Sequence, residues 1–179
     1  MLRARGGAYR FLAVLLLLLV LAGCGYRFTA EQGTRLAAGQ TVWVPFVKNS
    51  TVYPNASVVL KRALFEQFSA LRGITPAISQ QTGDLWLEGS VTGYSTAVVS
   101  YSAVDTAKEY RLTISADIRV RRRGDSSDAV PVWKGSLSAW QDYPVASTIE
   151  LQRNSEDAAL AAAARKLAQQ LIWQMEQNY

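Results

Sequence analysis

Four arginines fall within five residues, at Arg119, Arg121, Arg122 and Arg123, and Lys134 follows after a short polar stretch. A guanidinium is a planar fork that can donate two parallel hydrogen bonds to one phosphate, so such a cluster has the chemistry of a polyanion site. Side chains alternate along a strand, which puts Arg119, Arg121 and Arg123 on one face and turns Arg122 away. Lys134 opens the next expected strand and should lie near them across a hairpin. Lys108 and Arg111 are weaker candidates. Arg153 is another, because it stands just before an expected helix start, where an anion is also favoured. The competing reading is a solvated hairpin tip whose charge Asp125 and Asp128 partly answer.

The chain has no histidine and a single cysteine. The commonest general base, the Ser-His-Asp and Cys-His arrangements and the usual zinc sites are therefore missing. Two carboxylate pairs remain, Asp125 with Asp128 and Glu156 with Asp157. The first lies in a polar turn, and the second sits where acids favour the start of a helix. No glycine-rich phosphate loop or metal-ligand cluster appears. Neither catalysis nor a cofactor or metal is expected.

The N-terminal stretch FLAVLLLLLVLA, residues 11–22, is shorter than the roughly 20 apolar residues a membrane-spanning helix needs. Arg3, Arg5 and Arg10 precede it without an acid, as in a secretory signal. The sequence Leu21-Ala22-Gly23-Cys24 resembles the lipobox of bacterial lipoproteins. That resemblance implies a signal peptide over residues 1–23, cleavage before Cys24, a diacylglyceryl group on its thiol and acylation, with palmitate for example, of the new amino terminus. Several acyl chains anchor stably where one does not. Gly25 stands where an aspartate would mark retention at the inner membrane of enteric bacteria, so the outer membrane is expected. Removing the leader takes the net charge from +5 to +2, too small a balance to argue for nucleic acid. It also leaves no cysteine for a disulfide, so the fold must rest on packing.

Residues 24–39 read as a lipidated tether and residues 40–179 as a single α+β domain, of a size able to bury its own core. QTVWVPFV, residues 40–47, reads as a strand, with Pro45 hinting at an edge or a bulge. From Asn55 the spacing becomes helical through Leu60, Leu64, Phe68 and Leu71, with Gly73 as the stop. Residues 85–101 form an irregular strand that Gly89 and Gly93 should bend or bulge. Residues 109–121 alternate strictly, with Tyr110, Leu112, Ile114, Ala116, Ile118 and Val120 on one face. Residues 130–143 make a fourth strand, giving an antiparallel meander. A last helix is expected from a cap at Asn154 or Ser155, with the stripe Leu160, Ala164, Leu167, Leu171 and Met175. Two helices would then cover one face of a four-stranded sheet, the first crossing over to bring its flanking strands together. The strand aromatics Trp86, Tyr94, Tyr101, Trp133, Trp140 and Tyr143 suit cross-strand packing, and any on the wet face would mark an interface.

The chain resembles the LPS-assembly lipoproteins, the LptE family. The resemblance rests on Leu-Ala-Gly-Cys-Gly-Tyr at 21–26, Val-Pro-Phe-Val-Lys-Asn-Ser-Thr at 44–51, Tyr-Arg-Leu-x-Ile at 110–114, and Arg153-x-x-Glu156-x-x-Ala159-Leu160 followed by Leu167-Ala168. It covers nearly the whole chain through the order of these segments, although no one motif is diagnostic. It implies a lipid-anchored protein of the periplasmic leaflet of the outer membrane that plugs a large β-barrel partner, LptD, and helps deliver lipopolysaccharide to the outer leaflet. The arginine cluster would then face the phosphates of lipid A. The alternatives are a lipoprotein subunit of another envelope machine, for barrel assembly or secretion, and a lipid carrier. Intact-mass measurement on protein extracted from membranes should find residues 1–23 absent and Cys24 carrying lipid; an unmodified Cys24 thiol would exclude the lipobox reading.

Overall fold

The computed structural model describes residues 39–71 and 73–177. The leader, Cys24 and the tether up to residue 38 lie outside the described residues. Along the chain follow β1 (Gln40–Trp43), β2 (Lys48–Asn49), α1 (Ala56–Ala70), β3 (Ile74–Pro76), a single 3-10 turn (Gln80–Thr82), β4 (Leu85–Tyr101), β5 (Ala107–Arg122), β6 (Trp133–Pro144) and α2 (Ile149–Gln177). One sheet holds all the strands in the order β3-β1-β4-β5-β6, with β2 pairing β4. The α+β class and the two helices agree with the sequence pattern. The strand count does not: six strands replace the expected four.

Pro45 accounts for one of the two extra strands. It lacks a backbone donor and interrupts the ladder, so the strand expected over 40–47 stops at Trp43 and pairing resumes only at Lys48–Asn49, past its expected end. Both pieces run parallel to β4, Trp43 facing Trp86 and Lys48 facing Ser90. Between those pairs the segment from Trp43 to Lys48 advances one residue more than β4 does from Trp86 to Ser90. The second addition, β3, pairs parallel with β1 and is too short for any period to show in sequence. Gly73 precedes it at φ 83°, a left-handed conformation that glycine adopts freely. Its carbonyl accepts the Gly39 amide at 2.7 Å. As expected, α1 crosses over between strands that end up adjacent, because β1 and β4 are neighbours.

The Lys-Asn-Ser-Thr segment has a specific task between β2 and α1. The Asn49 side chain donates to the carbonyls of Tyr53 (2.8 Å) and Pro54 (3.3 Å). Its oxygen accepts from the Thr51 amide (3.0 Å) and hydroxyl (2.7 Å). One amide side chain therefore closes the turn, as asparagine does where no ladder is available.

The meander β4-β5-β6 is antiparallel throughout. β4 is irregular between Val91 and Gly93 and again around Ser100. At Gly89, where a bulge was also expected, the pairing with Ile118 is unbroken. Glycine is needed there for closeness instead, since a Cβ would lie 3.1 Å from the Asp117 carbonyl oxygen. The second helix begins at Ile149, more than a turn before the expected cap. Its N-terminus is held by Thr148, whose hydroxyl accepts the Leu151 amide at 3.3 Å. Asn154 and Ser155 therefore lie inside the helix.

Leu112, Ile114, Ala116, Ile118 and Val120 of β5 are all buried, and they join one cluster with Leu60, Leu64 and Phe68 of α1 and Leu160, Leu167, Leu171 and Met175 of α2. Ala159, Ala163, Ala164 and Ala168 are buried on α2 as well, and their small size lets that helix lie close to its neighbours. Each fully buried leucine contributes about 1.5–3 kcal/mol through removal of apolar area from water. Leu167→Ala should lower unfolding stability by about 2–5 kcal/mol. In urea melts this would appear as a lower midpoint with an unchanged slope. A loss well below 1 kcal/mol would contradict the packing of Leu167.

Candidate functional site

With both helices on the apolar side, the opposite face of the sheet is open. Two rows of cross-strand partners cross it: Glu88, Arg119 and Lys134 in one, Lys48, Ser90, Asp117 and Ser136 in the other. These seven residues line a shallow groove of about 660 Å3. Its charged members are three cations, Lys48, Arg119 and Lys134, and two carboxylates, Glu88 and Asp117. Asp117 accepts the Ser136 hydroxyl at 2.5 Å, and Glu88 lies 3.6 Å from Arg121. Arg119 and Lys134 stand directly opposite each other, an arrangement of like charges that is unfavourable by itself. Among the described residues neither forms an ion pair. A bound anion would relieve their repulsion.

The other expected candidates do not converge there. Arg121 is largely buried and donates to the carbonyls of Asp125 (3.0 Å) and Ser126 (2.8 Å), closing the β5–β6 turn. Arg123 lies past the end of β5 and donates to Gln81 O (2.6 Å) and Asp84 (3.2 Å). Asp84 is itself fixed by the Thr41 amide (3.0 Å) and hydroxyl (2.9 Å). Those bonds first, and the charge of Arg123 after them, hold its carboxyl below the usual range. The three alternate arginines are thus divided: Arg119 faces the groove, while Arg121 and Arg123 hold the base of the sheet. The strand ends at Arg122, so alternation no longer governs Arg123.

Arg111 makes a two-point bond with Asp142, 2.7 Å from Nε and 2.9 Å from Nη2, and lies 3.8 Å from the centre of the Trp140 ring. Lys166 of α2 approaches the same ring at 5.1 Å and donates to the Trp140 carbonyl at 3.0 Å. Trp140 is nevertheless half exposed, whereas Trp133 and Tyr143 are buried, so the strand aromatics divide between core and surface. Lys108 is exposed at the start of β5, and Arg153 is exposed within α2 rather than ahead of it. Its expected place before a helix N-terminus is lost because Thr148 starts the helix earlier.

Two tyrosines went unread as a unit. Tyr53 stacks on Tyr94 with ring centres 4.4 Å apart. Their hydroxyls donate to Asp157 (2.7 Å) and Glu156 respectively. Burial first, and these carboxylates second, raise both phenols above their usual range. They therefore stay protonated and keep donating. Glu156 and Asp157, expected as first-turn acids, sit deeper in α2 and bind these rings. Nothing in the local pattern around Tyr53 or Tyr94 signals a partner more than 60 residues away. Among the described residues no group of His, Cys, Asp or Glu side chains could hold a metal ion, and no helix is long and apolar enough to cross a membrane.

A profile of the LptE, lipopolysaccharide-assembly, family matches residues 39–175. No curated protein matches the chain. Among solved structures, a hypothetical protein of Chlamydia trachomatis is similar at TM-score 0.51 and 12% identity, over 79% of this chain and 98% of its own. A candidate lipoprotein of Caulobacter crescentus CB15 is similar at TM-score 0.50 and 15% identity, over 73% and 88%. At such identities these likenesses concern the fold alone.

The Arg111–Asp142 pair has a testable pH signature. Hydrogen bonds from Arg111 first, and its charge after them, lower the carboxyl of Asp142. The stability this pair contributes is present above the ordinary aspartate pKa of about 3.9 and is lost as pH falls through the lower folded value. Asp142→Asn should melt below the parent near neutrality, and the gap should close as pH drops below about 4. A gap independent of pH would show that the ion pair contributes nothing.

Proposed function

The chain belongs to the LptE, lipopolysaccharide-assembly, family, and on that premise we propose that it is an outer-membrane lipoprotein, anchored through Cys24, that plugs an LptD-type β-barrel and assists delivery of lipopolysaccharide to the outer leaflet. The observation that carries this reading is the open sheet face. A surface mixing Glu88, Asp117 and Asp142 with Lys48, Arg111, Arg119 and Lys134 suits a water-filled lumen lined by polar side chains, whereas a greasy patch would suit lipid. The half-exposed Trp140, set between two cations, adds a large contact surface of the kind enriched at interfaces. The role is structural and binding rather than enzymatic.

Within that role, the groove is the place for a phosphate of lipid A. Arg119 and Lys134 supply the cations, Lys48 a third, and the hydroxyls of Ser90 and Ser136 stand beside them. Arg121 reaches the groove only through Glu88, at 3.6 Å, Arg111 and Arg123 bind partners outside it, and Lys108 and Arg153 remain exposed elsewhere.

Purification of the tagged protein should bring down a β-barrel in fixed ratio, and its depletion should lower the amount of assembled barrel and of surface lipopolysaccharide. Normal levels of both in a deletion strain, or co-purification of barrel-assembly or secretion components instead, would overturn the proposal. Arg119→Glu with Lys134→Glu should weaken lipopolysaccharide capture about tenfold, the loss of one or two charge-assisted hydrogen bonds. The weakening should be greater at low salt. Unchanged capture by the folded double variant would place the ligand elsewhere.

A further inference from the structure

Behind the sheet's β3 edge, where β1 and β3 meet α1, lies an apolar notch of about 410 Å3 that the groove and its partners do not use. Trp43, Pro45, Phe46, Phe65, Pro76 and Ile78 line it. Ile78 is 100% exposed, Phe46 72% and Phe65 47%. Soluble surfaces rarely gather such side chains without a partner. Lys61 also lines the notch and holds its ammonium 4.0 Å above the Phe46 ring.

The charges beside the notch are Lys61, Arg62 and Glu66, a balance of +1, since Lys48 of the same segment belongs to the groove. The single acid is answered locally, because Arg62 Nε lies 2.8 Å from Glu66. Aromatic rings that seek the headgroup layer, with lysine beside them, are the composition of a surface that rests on an anionic bilayer. The chain enters the domain at Gly39, at the start of the same strand β1. From Cys24 to Gly39 it can span at most about 50 Å, and tethering over such a length keeps the effective concentration of the lipid surface near the millimolar range. A contact too weak to hold a free protein would then be populated.

We propose that this notch is a second membrane contact, by which the edge formed by β1, β3 and α1 docks on the anionic phospholipid leaflet that holds Cys24. Phe46, Phe65 and Ile78 enter the headgroup layer, and Lys61 and Arg62 meet lipid phosphates. The proposal rests on acylation of Cys24, and its test reports that acylation separately.

In the mature full-length chain carrying Ile78→Cys, an environment-sensitive thiol dye attaches at position 78 only, since an acylated Cys24 does not react. The labelled protein is placed in vesicles of phosphatidylethanolamine and phosphatidylglycerol in equal parts, or of phosphatidylcholine alone. In the anionic vesicles, emission at position 78 should shift to the blue and be quenched by spin-labelled lipid several-fold more than the same dye at Val104→Cys on the β4–β5 turn. Lys61→Glu with Arg62→Glu, both at the surface, should abolish the difference between the two vesicle types. A water-like signal at position 78 in both vesicles overturns the proposal. So does shielding that appears only when the β-barrel is co-reconstituted, which would assign the notch to a protein partner. Dye uptake by the unsubstituted mature chain would expose a free Cys24 and overturn the proposal at its first step, independently of any result at position 78.

Discussion

Removal from water of the even-numbered face of β5 places every other element. This strand lies between β4 and β6, so neighbours satisfy its backbone on both sides, and only its side chains remain to be accommodated. Leu112, Ile114 and Ile118 present long branched groups. The facing helix answers with alanines at 159, 163, 164 and 168 between its larger leucines, so that large and small side chains interdigitate. The second helix is then short of partners on one side, and α1 supplies them through Leu60, Leu64 and Phe68. Two helices and one sheet face thus close a single core.

The same alternation determines what the other face can be. Once the helices cover one side, Arg111, Asp117 and Arg119 must stand on the other, and only cross-strand partners or solvent can answer their charges. Register then decides which. Pairing with β6 sets Arg111 against Asp142 but Arg119 against Lys134. One contact is a two-point ion pair and the other a juxtaposition of two cations within a single ladder. A slip of one residue would turn the whole charged row toward the core, which its desolvation forbids. The binding potential of this face is therefore a by-product of a register that the core enforces.

A second set of contacts ties the N-terminal third to the rest. The Tyr53–Tyr94 stack brings the β2–α1 turn against β4, and its hydroxyls reach two consecutive acids of α2. Such carboxylate acceptors are stronger than neutral ones. Because burial keeps both phenols protonated, these bonds persist across the ordinary pH range, and the polar groove and the apolar notch are parts of one folded body.

Much of this was legible in the chain itself. Strict alternation at 109–121 fixed a half-buried strand, and the helical stripes from Leu60 and Leu160 fixed two amphipathic helices, because side-chain period depends only on local backbone geometry. The Leu-Ala-Gly-Cys segment and the lack of histidine are likewise read from the sequence alone. Strands β2 and β3 were not legible, since two or three residues hold no period and exist as strands only where a neighbour pairs with them. Nor was the helix start at Thr148, where one hydroxyl in place prevailed over several possible caps. The arginines show the division most clearly. Sequence placed Arg119, Arg121 and Arg123 together on one face, but tertiary structure separated them. Where each guanidinium points depends on carbonyls and carboxylates brought near by the turn and by β4, up to 42 residues away along the chain, and hydrogen-bond partners at that distance leave no trace in local spacing.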